Sequence, residues 1–543
     1  MSTLHKKSIL TKTLQVGGST AISRLLGVAR EVLLGNYLGA SALLDAFITA
    51  FKIPNSLRKI FAEGALSASF VPTIVTMMKS GDKEHANAFM TRSFVVIEGI
   101  LIAVCALIFW QAQGVIRGIM PGWFIGHESV SFCGFPIPAA WLGLGEALPQ
   151  VATAVLFLRI LIAFIVFISS SALLASVLQA VNHFFVPAFS PILLNLFFIA
   201  GVLIGWLGGY SPVVLCVFIL LGGLVQFLMH LWVYCKLGFG FSTAYDAQAE
   251  VYFRQVLIKF FPCLLSMSLM EISLFIDTSF ASYLPAGSIT LIYLANRFMG
   301  IALGVFAVAF STILLPHFSR ISTYAPQRLS FYMLEAAKFV FWVTVPVVIM
   351  MSFFAGNIFH TLFSKFTEIQ AHEAGHILIA FLLGLFFFSL NKILLGVYYA
   401  LHNTRTPALI AFASTLVNIG FNALLMNYYQ GTGLALATSL AGLMQTMLLL
   451  LFLRIHFDFK IYAYPFMDFA RTYCLQLFVI LLPMVGVYYG ISWLISSLFS
   501  SSLTHFFLNS LGFWFWVGPL CGLSFLIIFY TRKWFKVQLY FLD

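Results

Sequence analysis

Charge is what this sequence has least of. Only 9% of its 543 residues are Asp, Glu, Lys or Arg, where a soluble domain carries about 25%. The chain is 61% hydrophobic with a mean hydropathy of +1.00, and no hydrophilic block is long enough to fold as a separate soluble domain. An ordinary soluble protein is excluded. The 7 cysteines are scattered, mostly in apolar runs, without a C-x-x-C pair, so neither a disulfide framework nor a metal cage is implied. There is no Walker A loop, nucleotide-binding domain or nucleophile elbow, which argues against ATP hydrolysis and against an enzyme; no cofactor is expected. The start, MSTLHKKSIL, lacks a compact apolar core followed by a small-residue cleavage site and is expected to be retained. The net charge of +11 is spread over short loops rather than gathered in one patch, so nucleic acid is not an expected partner.

What the chain does have is apolar runs of spanning length. A helix needs roughly 20 apolar residues to cross a bilayer core about 30 Å thick. That rule predicts an all-α, polytopic membrane protein of about fourteen helices, near 9–37, 43–78, 90–117, 152–180, 187–208, 211–236, 255–284, 288–318, 330–358, 374–402, 406–428, 432–456, 467–498 and 508–531. Alternate loops hold nearly all the Lys and Arg, from Lys6 and Lys7 to Arg532, Lys533 and Lys536, whereas GNYLGAS, GGYSP, LPAGS and YYQGTG are almost free of them. Both termini are therefore expected in the cytoplasm. Gly118–Gln150, rich in Gly, Pro and Trp, reads as a periplasmic or interfacial excursion. The polar stretch GFGFSTAYDAQAE suggests a division into an N-terminal lobe (1–237), a cytoplasmic linker (238–254), a C-terminal lobe (255–457) and two last helices with a tail (458–543).

Within the first two predicted helices, charges stand at short intervals: Arg24, Arg30, Glu31, Asp45, Lys52, Arg58, Lys59 and Glu63. A charge at bilayer depth costs at least ~2.5 kcal/mol on insertion scales, so these side chains are expected to face protein or a water-filled cavity rather than lipid. Some can instead snorkel from helix ends or pair locally, as Lys59 and Glu63 can at i,i+4. Pro54 is expected to kink or break the long second helix. The stretch Ser23–Pro72, with SRLLGVARE and DAFITAFKIPNSLRKIFAEGALSASFVP, resembles the N-terminal signature of the MurJ (MviN) family of bacterial lipid II flippases. PAFSPILLN and ANRFMGIALGVFAVAFSTILLP extend the resemblance into both halves of the chain.

The resemblance implies two six-helix lobes around a central cavity, a lipid-tail groove along the last two helices, and arginines that contact a lipid-linked diphosphate. Guanidinium suits that role, because its planar fork stays charged and binds phosphate bidentately. The positions that match are Arg24, Arg30, Arg58, Asp45 and Arg297, with Glu31, Lys59 and Glu63 as gating or charge partners; an ion pair of Arg297 with Glu31 is the structural alternative. Glu31 and Lys59 stand where some members carry Asp and Arg, and Ala302 where a proline is common. Asp277, Asn418, Asn422 and Thr438 could supply oxygen ligands to a coupling Na+, H+ being the other candidate; they could equally serve helix-to-helix hydrogen bonding, and Asn422 replaces an acidic residue found in some members. Glu271 is a companion acid that could carry a proton or stand as a buried neutral acid.

His372-Glu373-Ala374-Gly375-His376 spells the H-E-x-x-H zinc motif, yet no companion third ligand is evident. The resulting expectation is a flippase of the bacterial inner membrane, passing lipid II from the cytoplasmic to the periplasmic leaflet by alternating access. Membrane lipids are its surroundings, and peptidoglycan synthases are candidate partners. A multidrug or other polyprenyl-linked exporter of the same multidrug/oligosaccharidyl-lipid/polysaccharide (MOP) superfamily is the runner-up, and an intramembrane metalloprotease the remote alternative.

Overall fold

A computed structural model of the chain describes residues 6–60, 66–79, 83–124, 129–132, 135–138, 148–242, 246–304, 307, 309–457 and 459–542; side chains at 6–17, 66–69, 79, 129–138, 259, 261–270, 273, 309 and 312 are outside the description. Helices dominate, and by packing the chain forms two compact units, Met1–Gly287 and Ser288–Asp543.

In the first unit the helices are α1 (Lys6–Leu38), α2 (Ala42–Arg58), α3 (Leu66–Lys79), α4 (Lys83–Ser93), α5 (Gly99–Trp110), α6 (Ala112–Ile119), α7 (Pro149–Leu161), α8 (Phe164–Ala180), α9 (Phe185–Leu207), α10 (Val213–Lys236) and α11 (Ala247–Ala281). A π-helical turn, Phe94–Glu98, joins α4 to α5. The core is aromatic: Phe47 packs on Phe51, Phe157 and Phe198 with ring centroids 5.8, 6.1 and 5.9 Å apart. Helices α1 and α10 both pack on α9, α2 on α7, and α11 on α3 and α4.

The second unit holds α12 (Ser288–Leu303), α13 (Ala309–Tyr324), α14 (Leu329–Phe353), α15 (Ala355–Leu362), α16 (Glu368–Leu383), α17 (Leu385–Ala400), α18 (Arg405–Phe457), α19 (Ala463–Leu498), α20 (Ser501–Asn509) and α21 (Phe513–Thr531). One core cluster joins Phe318, Ile393, Val397, Tyr398 and Leu449, with the Tyr398 hydroxyl donating to Leu449 O at 2.8 Å; a second joins Trp342, Tyr473, Leu477 and Ile528. In α18 the backbone breaks at Gln430 (φ 49°, ψ −127°), which separates the two spans expected at 406–428 and 432–456. Gly433 makes the reversal possible, since a Cβ there would stand 2.3 Å from Leu425 O.

Among the described residues nine helical stretches are both long and apolar enough to cross a membrane, which agrees with a polytopic protein and leaves the count of fourteen unconfirmed. Helices α2, α3, α12 and α13, of 17, 14, 16 and 16 residues, border positions outside the described residues. The second helix is not broken at Pro54, which lies inside α2; the helix passes into π turns at 59–60 instead, and 61–65, with Glu63, lie outside the described residues. By packing, α11 goes with the helices before it, on α3 and α4, and the first compact unit runs to Gly287. Ion pairs reinforce that packing: Asp246, the N-cap of α11, binds His85 Nδ1, and Glu250 meets Arg92 and Arg254 at 3.2 Å each.

The excursion after α6 is tied down at its base. Gly122 N–H donates to Ser282 Oγ at 2.9 Å, and Leu148 N–H to Trp123 O at 3.0 Å, so the segment leaves and returns at one place. Its described part includes an antiparallel hairpin, Ser129–Phe132 with Phe135–Pro138, a small exception to the all-α expectation.

Two predictions come from these contacts. A Cβ at Gly122 would stand 2.5 Å from the Ser282 backbone, which cannot give as a side-chain tip can. Gly122→Ala is expected to cost about 1–3 kcal/mol. Thermal unfolding in detergent checks this, and an unshifted midpoint would show that the anchor is dispensable. The second concerns Asp246. Partial burial alone would raise its pKa, but the His85 hydrogen bond and the N–H groups of Ala249 and Gln248 outweigh that and hold it below the usual value. A depressed folded-state pKa contributes stability above the unfolded value of about 3.9 and loses it as pH falls through the folded value. The acid limb of the stability profile should therefore flatten in Asp246→Asn.

Candidate functional site

Arg30 lies on α1 at the aromatic core. Its guanidinium sits 4.5 Å over the Phe198 ring, Nη2 meets Glu31 Oε1 at 2.5 Å, and Nη1 donates to Asn195 Oδ1 at 3.1 Å. Asn195 in turn donates to Ser23 O and Oγ at 3.0 and 3.3 Å, which fixes its amide and hence the guanidinium plane. Glu31 is buried, so its pairing with Arg30 offsets two desolvated charges at once. Arg24, two turns earlier on α1, is exposed. Asp45, one of the expected substrate contacts, is 1% exposed and accepts Gly287 N–H at 2.6 Å. A Cβ at Gly287 (φ 94°) would stand 2.8 Å from Ala40 O, so Asp45 secures a close backbone approach at this end of the unit.

A second network joins α2 to α11. Lys52 Nζ donates to Leu274 O at 2.6 Å and to Thr278 Oγ1, and it lies within electrostatic reach of Asp277, Lys59 and Glu271. Ser56 Oγ donates to Glu271 Oε2 at 2.6 Å, and Lys59 Nζ to Glu271 Oε1 at 3.1 Å. Lys59 is thus paired across helices; Glu63, its expected i,i+4 partner, lies outside the described residues. Arg58 donates to Asn55 Oδ1 at 3.1 Å on its own helix. Sequence reasoning named Lys59 and Glu271 but missed the network. A signal was present: positions 52, 56 and 59 share one face of α2, as 271, 274 and 278 do on α11.

In the second unit Arg297 is exposed on α12 and donates to the Tyr293 hydroxyl at 3.1 Å. Asn418 and Asn422 face each other one turn apart on α18, Asn422 Nδ2 donating to Asn418 Oδ1 at 2.5 Å, and Asn418 Nδ2 reaches Thr438 Oγ1 at 3.4 Å. These three of the four expected cation ligands come together; Asp277 belongs to the first unit, beside Lys52. His372 and His376 are exposed on α16, whose start is closed by a Thr367–Gln370 capping box. Among the described residues no group of three His, Cys, Asp or Glu that could hold a metal ion occurs anywhere.

The profile of the family described as "Lipid II flippase MurJ" matches residues 34–511. The chain belongs to this family. The probable lipid II flippase MurJ of Vibrio cholerae is 31% identical over 453 residues, 82% of either chain, and the lipid II flippase MurJ of Burkholderia cenocepacia is 31% identical, covering 81% of this chain and 83% of that one. A solved structure of a lipid II flippase MurJ in an inward closed conformation superposes with a TM-score of 0.73 at 26% identity, covering 95% of this chain and 99% of that one. An inward-facing multidrug transporter of the MOP superfamily superposes at 0.65, with 15% identity, and shows the shared fold alone.

As a MurJ family member with nine apolar helices of spanning length among the described residues, the chain is a multi-pass membrane protein. The α2–α11 network is expected to act as a unit. In a double-mutant cycle, Ser56→Ala and Glu271→Gln should show a coupling energy above about 0.5 kcal/mol in unfolding. Simple additivity would mean that the shared hydrogen bond contributes nothing.

Proposed function

We propose that this chain carries lipid II, the undecaprenyl-pyrophosphate-linked peptidoglycan precursor, from the cytoplasmic to the periplasmic leaflet of the bacterial inner membrane by alternating access. The observation that carries this reading is the match to flippases so named over nearly the whole chain, at about a third identity in sequence and 0.73 in TM-score. The chemistry agrees with it. A diphosphate needs fixed cations, and Arg24, Arg30, Arg58 and Arg297 are assigned to it, with Asp45 holding backbone in place. Glu31, Lys59 and Glu63 are assigned as charge partners whose exchange accompanies opening. Arg30 suits the task because its guanidinium is already oriented by Glu31, Asn195 and Phe198, so little side-chain entropy remains to be lost on binding.

The polyprenyl tail is assigned to an apolar crevice of about 70 Å³ lined by Ile349, Phe353, Leu481, Tyr488, Leu520 and Cys521 on α14, α19 and α21. Opening to one side at a time requires two states of similar energy, biased by substrate and by an ion or the membrane potential. Na+ at Asn418, Asn422, Thr438 and Asp277 is the proposed coupling ion, with H+ as the other candidate and no further cofactor. Fourteen spans with both termini in the cytoplasm complete the arrangement, and the peptidoglycan synthases that consume the product are the proposed partners.

The test is lipid II externalisation in cells depleted of their own flippase and supplied with this chain. Each charge-assisted hydrogen bond is worth about 1.5–3 kcal/mol, so Arg24→Ala and Arg297→Ala should each lower the rate about tenfold or more at equal expression. Glu373→Gln should leave it unchanged. Wild-type activity retained by both arginine variants would refute the assignment of these cations to the headgroup.

A further inference from the structure

Glu98 is an ionisable residue inside an apolar span, and nothing in the proposed transport uses it. It ends the π-helical turn Phe94–Glu98. Such turns are rare and recur at functional sites. The side chain is 7% exposed, and neither carboxylate oxygen closes a hydrogen bond of normal geometry. Facing it from α8 are the hydroxyls of Ser169 and Ser170, themselves 1% and 6% exposed, and Ser169 Oγ is likewise unpartnered. Ser171, next in the run, spends its hydroxyl on Phe167 O.

Among the described residues no counter-charge is at hand. The π turn packs on α4, α5 and α8. Helix α8 has no ionisable residue along its whole length, and α5 offers only the Cys105 thiol, which is directed to Ile162 O. On α4, His85 and Arg92 are taken by Asp246 and Glu250, Lys83 reaches Leu237 O, and Glu84 is itself acidic. Arg159 on α7, the basic residue of the helix next to α5, donates to Phe109 O. An ionised carboxylate here would be desolvated without a cation or sufficient donors, the costliest state for such a group. A neutral carboxyl fits: its O–H can donate to Ser169 Oγ while its carbonyl oxygen accepts from Ser170.

We propose that Glu98, against Ser169 and Ser170, is a proton-binding site within the first unit, occupied while the α5–α8 packing is closed and emptied only when water enters it. A metal cation is the poorer occupant, because one carboxylate and two hydroxyls fall short of the six or more oxygens that hard cations take. The proposal goes beyond the lipid II reading, and its first readout is independent of that reading.

The experiment is infrared difference spectroscopy of the full-length chain in nanodiscs during pH titration, wild type against Glu98→Gln. Wild type should show a protonated carboxyl C=O band that persists at neutral pH, bleaches at alkaline pH and is absent from E98Q. A band unchanged in E98Q, or one already lost near the ordinary carboxylate pKa of about 4, would overturn the proposal. So would a band removed at fixed pH when choline is replaced by sodium. E98Q is isosteric with the neutral acid and should melt with the wild type, so an unfolded E98Q also counts against it. In the externalisation assay E98Q should lose the pH dependence of the wild type. If the wild type moves no lipid II while the band behaves as described, the transport reading fails and the proton site stands.

Discussion

A charge inside an apolar helix must be satisfied by the chain itself, and most of this protein's polar architecture answers that demand. Lipid offers neither counter-ions nor donors, so buried ionisable groups such as Arg30, Lys52 and Glu271 take their partners from within the protein. Arg30 takes Glu31, Asn195 and the face of Phe198; Lys52 takes a backbone carbonyl and a hydroxyl of α11; Glu271 takes Ser56 and Lys59. These contacts link helices far apart in sequence, α1 to α9 and α2 to α11, and so help to determine which helices lie side by side.

The same constraint explains why Arg30 carries its own anion beside it: Glu31 neutralises the guanidinium, and Asn195 and the Phe198 ring hold its plane. Asp45 shows the other use of a buried charge: it is spent on the Gly287 N–H and secures the close approach of two turns.

Much of the fold was legible in the sequence. The apolar runs announced a polytopic helical protein, the YYQGTG stretch marked the break now seen at Gln430, and the Ser23–Pro72 signature pointed to the family that the profile match shows. The charged positions on α1 and α2 were also legible, because charge in such a run is conspicuous. Their partners were not. The pairing of Lys59 with Glu271 could not be read, since hydropathy says nothing about which helices become neighbours. Glu98 escaped notice because a single acid within the apolar run FVVIEGI carries no partner signal along the sequence.

The sequence by itself determined the class of the protein, its family and the places where charge would need an answer, because these depend on composition and on the order of residues along one chain. Only the tertiary structure decided which answer each charge received and that α11 packs with the helices before it. Those outcomes depend on distances between residues more than two hundred positions apart, as between Lys52 and Leu274, which helical periodicity cannot encode.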